Sequence, residues 1–116
     1  MPTSQSTVDF IVDQCTAAGE MTARKMFGEY ALYCEGKMVG SICDAQLFVV
    51  ITPPGRARLD ETHDAPPYEG AKPRIRVPAE KWEDAEWMSS LIRETAAALP
   101  APTQKKTRSR SGNSPT

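Results

Sequence analysis

A chain of 116 residues, 40% of them apolar and 25% charged, is long enough to bury one core and too short for two domains. No stretch approaches the about 20 apolar residues that cross a bilayer, and the opening "MPTSQSTVDF" lacks the basic flank and apolar run of a secretory signal, so the expected compartment is the cytoplasm and no membrane partner is expected. The net charge of −1 hides an asymmetry: residues 1–100 carry ten basic and fifteen acidic side chains, whereas residues 101–116 carry Lys105, Lys106, Arg108 and Arg110 and no acid, and an acidic body with a basic tail is not the footprint of a dedicated nucleic-acid-binding fold.

Residues 1–5 are polar and read as a flexible N-terminus. From Ser6 a helix is expected, with Ser6 and Asp9 resembling a capping box. Val8, Ile11, Val12, Cys15 and Ala18 form one apolar stripe, and Gly19 is a suitable stop. The period then changes. Strand-favouring runs punctuated by Gly28, Glu35-Gly36 and Asp44-Ala45 predict strands at about 22–27, 29–34, 37–43 and 46–52, folded as an antiparallel meander. Gly28 marks a bulge or sharp bend, and Gly40 a close approach by a helix or a large side chain.

Pro53-Pro54-Gly55 ends the meander, with one helical turn expected near Arg56–Asp60. "PRIRVP" at 73–78 reads as a short edge strand bracketed by prolines. A second helix is expected from about Ala79 to Leu99, its first turns loaded with acid and its buried face made of Trp82, Ala85, Met88, Leu91, Ile92, Thr95, Ala96 and Leu99. Pro100 and Pro102 end it, and 101–116 is expected to be a disordered basic tail. The expected class is α+β, an antiparallel β-meander packed against an N-terminal and a long C-terminal helix.

The chemistry-bearing residues point away from catalysis. Three cysteines at irregular spacing suit reduced thiols. With Glu35-Gly36 as a two-residue turn, Cys43 lies opposite Gly28, six positions along the strand from Cys34. That separation is roughly 20 Å, against the about 7 Å a disulfide allows. There is no Cys-x-x-Cys, and His63 is the one histidine, so neither a metal site nor a cofactor is expected. Glu35 and Asp44 read as turn residues, and no phosphate-binding glycine loop is present. The loop "PPYEGAKPRIRV" at 66–77 is stiff and carries an aromatic and a cation, features of a contact loop.

Three stretches, "RKMFGEYALYCEGKMVGSICDAQLFV", "PPYEGAKPRIRV" and "EDAEWMSSLIRETAAALP", resemble the N-terminal domain family of TfoX/Sxy, bacterial regulators of natural competence. The resemblance spans about residues 8–100 and gives a domain at 6–100. It implies an α+β layer of helices on an antiparallel sheet, a regulatory role through protein contacts, and no catalytic residue. It also implies a single-domain form without the helical C-terminal domain of the full-length regulators.

The leading expectation is a non-enzymatic interaction module whose protein partner meets Tyr68, Lys72, Arg74, Arg76 and Tyr30. The alternative is weak nucleic-acid binding through Arg24, Lys25, Arg74, Arg76 and the tail residues Lys105, Lys106, Arg108 and Arg110. A thiol-dependent enzyme centred on Cys43 is the third class, and it requires a thiol of depressed pKa.

Overall fold

The computed structural model describes residues 4–26 and 29–100. The first helix, α1 (Gln5–Gln14), is capped two residues earlier than the sequence implies, at Ser4 in place of Ser6. Ser4 is the cap: its hydroxyl accepts the Thr7 amide at 3.3 Å. Ser6 and Asp9 do not form the expected box, because the Gln5 side-chain amide takes up the Asp9 carboxylate at 2.9 Å. The helix also ends early, passing through a 3-10 turn at Thr16–Ala18. Gly19 still stops the run, with φ of 145°.

Four strands follow as a meander: β1 (Met21–Met26), β2 (Glu29–Cys34), β3 (Lys37–Cys43) and β4 (Gln46–Val49). Both tight turns place two residues in the left-handed region, Glu35 and Gly36 at φ 53° and 81°, Asp44 and Ala45 at 53° and 60°. Such turns match the twist of antiparallel strands. The register departs from expectation part-way along β2 and β3. Cys34 faces Lys37 and Tyr33 faces Met38, but a bulge at Val39 then sets Leu32 opposite Gly40. Cys43 therefore comes alongside Glu29 and not Gly28. The bend expected at Gly28 lies outside the described residues.

The short helix α2 (Pro53–Arg58) begins at the prolines expected only to end the meander. Thr52 caps it by accepting the Gly55 amide, and a proline at the first helical position has no N–H to satisfy. A 3-10 turn at Glu61–His63 leads to the two-residue strand β5 (Asp64–Ala65), and β6 (Arg74–Val77) follows. The sheet order is β1-β2-β3-β4-β6-β5, so β6 is not the edge strand the sequence implies. It pairs with β4 on one side and β5 on the other. Pro73 and Pro78 flank the ladder and withhold no hydrogen bond from it.

The expected long helix is two pieces. Ala79–Glu83 is a 3-10 turn, and α3 (Ala85–Ala98) begins after Asp84, whose carboxylate accepts the Trp87 amide at 3.0 Å. Met88, Leu91, Ile92, Thr95 and Ala96 are buried as the periodicity requires, whereas Ala85 is exposed. Ser89 is buried too, its hydroxyl donating to the Gln14 carbonyl of α1. The Lys37 ammonium donates to the Ala96 and Leu99 carbonyls, tying β3 to the negative end of α3. Arg58 pairs with Glu94 and Arg56 with Asp64, locking α2 to α3 and β5.

All three helices pack on one face of the sheet. Leu32, Ile42, Leu47, Val49, Ile75 and Val77 meet Val8, Ile11, Met88, Leu91 and Ile92 there in one core. The α+β class is as the sequence implies, and the opposite sheet face, here called the open face, carries no helix among the described residues.

Candidate binding cleft on the open sheet face

Strand alternation decides which side chains look away from the helices. Leu32 and Ile42 point into the core, so Ala31 and Ser41, paired across β2 and β3, point to the open face. The ladders carry that face outward through Arg24 and Met26 of β1, Glu29 of β2, Met38 and Cys43 of β3, Phe48 of β4, and Arg74 and Arg76 of β6. The bulge is what places both Met38 and Ser41 on this side although they are three residues apart.

The loop before β6 folds over part of the face. The Ala71 amide donates to the Tyr68 carbonyl at 3.0 Å, closing a turn with Gly70 at φ 90°. A side chain at Gly70 would meet nothing, so the glycine serves the backbone angle alone. Loop and sheet enclose a cleft of about 650 Å³. Met26, Ala31 and Met38 make its floor, Pro67, Tyr68 and Ala71 its loop wall, and Lys72 and Arg74 stand at its rim. Five large apolar side chains are exposed among the described residues, and Met26, Met38 and Tyr68, three of the five, line this cleft. Tyr68, at 66%, is the most open of them.

The polar groups of the cleft form a chain. Arg74 donates to the Ser41 hydroxyl at 3.2 Å, and Ser41 hydrogen-bonds the Cys43 thiol. Glu29 accepts the Asp44 amide at 3.2 Å across the cleft's end. Burial pushes the Cys43 thiol above its ordinary pKa, an effect the Ser41 bond and Arg74 oppose and Glu29 and Asp44 reinforce. Burial also raises Cys34, which sits on the core side with its thiol toward the Ala18 carbonyl. Cys15 is pushed up to about 12 by burial and by the neighbouring Cys34. Cys34 and Cys43 stand on opposite faces, and all three cysteines are free. No group of three metal-ligating side chains occurs among the described residues.

Of the residues expected to contact a partner, the fold brings Tyr68, Lys72 and Arg74 together at the cleft. Tyr30 reaches it only from the side, because its hydroxyl donates to Gln5 at 3.1 Å and its ring packs on the core. Arg76 shares the face but leans on Gln46 at 3.3 Å. The basic pair of β1 is split: Arg24 faces Ala31 on the open side, and Lys25 faces Tyr30 on the helix side. The four basic tail residues lie outside the described residues. The sequence does not mark Met26, Met38, Ser41 and Cys43 as cleft residues. Their signal is the alternation along β1 and β3, obscured by the bulge at Val39.

Residues 13–99 match the TfoX N-terminal domain model. The chain belongs to the TfoX N-terminal domain family. It is also 38% identical over 110 residues, 95% of each chain, to an uncharacterised 12.7 kDa protein from the trpE 5′ region of Spirochaeta aurantia. In this TfoX N-terminal domain every cleft-lining residue falls inside the matched segment. No helix among the described residues is long and apolar enough to cross a membrane.

Proposed function

We propose that this TfoX N-terminal domain is a non-enzymatic interaction module of the cytoplasm, acting in or near transcriptional regulation, and that its contact surface is the open sheet face around the 66–74 loop. The observation that carries this reading is the gathering of exposed Met26, Met38 and Tyr68 about one cleft. Clustered apolar exposure on a folded domain marks an interaction surface. A methionine-lined floor adapts to varied apolar side chains, and a rigid turn presents Tyr68 at little entropic cost.

The state of the thiols supports the non-catalytic part. A nucleophilic cysteine needs its thiolate stabilised, and burial raises all three cysteines here. Native-state labelling of Cys43 is accordingly expected to be slow.

Affinity capture from a cognate lysate tests the reading. The wild-type domain is expected to retain a specific protein that the Tyr68→Ala, Lys72→Ala double variant loses. Both side chains are exposed and outside the core, so the variant folds. Retention of the same protein by the double variant would remove this surface from consideration.

A further inference from the structure

The charges of the open face narrow the partner's chemistry, on the premise that this face is the contact surface. Residues 1–100 hold ten basic side chains, and half of them have work inside the fold. Lys37 binds the end of α3, Arg56 and Arg58 hold Asp64 and Glu94, Lys81 lies 5.2 Å from the Trp87 ring centroid, and Arg93 donates to the Ala17 carbonyl and Ser90. Five remain. Arg24, Arg74 and Arg76 project from the open face and Lys72 stands at the cleft on it, with Lys25 alone on the other side. Arg74 and Arg76 rest on the neutral acceptors Ser41 and Gln46, which orient the guanidinium groups, and neither makes an ion pair among the described residues. An acidic body thus gathers four of these five cations on this face, beside Glu29 in the cleft and the exposed Glu69 of the loop.

These cations extend from β1 to β6, four strand spacings, or roughly 19 Å at about 4.8 Å each. A compact anion could meet only one or two of them. An extended peptide of about six residues spans that distance. We infer that the cleft takes an extended acidic segment of a partner protein, with one or two large aliphatic or aromatic side chains seated among Met26, Met38 and Tyr68 and carboxylates meeting Lys72, Arg74, Arg24 and Arg76. The cleft's volume lies within the range of about 300–1,000 Å³ typical of ligand pockets. Its floor favours a peptide over single-stranded nucleic acid: methionines offer no plane for base stacking, which leaves Tyr68 as the one exposed aromatic of the cleft among the described residues.

Panning a displayed library of random peptides of about twelve residues against the whole chain tests this, with oligo-thymidylate as a parallel probe. Enriched peptides should combine Asp or Glu with a large apolar residue and bind more weakly as salt rises. Lys72→Glu and Tyr68→Ala should each weaken them about tenfold or more, with unchanged thermal midpoints. Enrichment of peptides without acidic excess that still need Tyr68 would overturn the acidic assignment and leave the contact surface standing. Binding indifferent to both variants would overturn the surface as well. Oligo-thymidylate bound at this face more tightly than any acidic peptide would overturn the inference in favour of nucleic acid.

Discussion

At residue scale, the informative positions are those whose conformation or protonation the fold dictates. Ala45 holds a left-handed backbone at φ 60° in the β3–β4 turn. That conformation costs a residue bearing a Cβ about 1–2 kcal/mol, and glycine would give back part of the gain through greater freedom in the unfolded chain. Ala45→Gly should therefore stabilise the domain by about 0.5–1 kcal/mol in denaturant unfolding. The Cys15 thiol offers a pH test. Its pKa is raised in the folded state, so it contributes nothing to pH dependence below the ordinary thiol value of 9.0. Above that value the unfolded chain ionises first and stability falls until the folded value of about 12 is passed. The expected loss by pH 10 is about 1 kcal/mol from this thiol. Cys15→Ala should flatten that alkaline slope, whatever its effect on stability at neutral pH. An unchanged slope would show that Cys15 is not the group responsible.

At element scale, the β3–β4 contact is governed by a single missing side chain. A Cβ on Gly40 would stand 2.2 Å from the Phe48 carbonyl oxygen. No backbone oxygen yields cheaply at that distance. Gly40→Ala should destabilise by about 2–3 kcal/mol, read as a lowered midpoint at unchanged denaturant slope. The glycine was legible in the sequence as a close-approach position, but the approaching partner is a neighbouring strand and not a helix. The meander, its two tight turns and the buried stripe of α3 were equally legible, since alternation, turn chemistry and helical period all agree there. Other features were hidden by local ambiguity. Ser4 and Ser6 are both competent caps, and only the engagement of Asp9 by Gln5 separates them. The inward position of β6 depends on β5, two residues inside a polar segment with no strand signature. The bulge at Val39 sits in an unbroken strand-like run that carries no mark of a register shift.

At the scale of the whole molecule, one sheet serves two purposes. Its inner face and three helices make a single apolar core. Its outer face carries apolar side chains with basic ones beside them, on a body whose overall charge is negative. The loop residues of the cleft, Tyr68, Lys72 and Arg74, stood out in the sequence because prolines and a turn glycine fix that segment. The strand residues did not, because Met26 and Met38 read as ordinary core methionines until the register assigns them to the open side. The split of Arg24 from Lys25 follows from the same alternation, and it dissolves the compact basic patch that adjacency in sequence implies.

The most direct test of the open face as the contact surface is site-specific photo-crosslinking in cells. A benzophenone amino acid would be placed at position 68 in one variant and at position 10 in another. Phe10 is also an exposed aromatic, at 39%, but it belongs to α1 on the helix side of the sheet. One discrete crosslinked partner is expected from position 68 and none from position 10. The same partner captured from position 10, with none from position 68, would contradict that expectation.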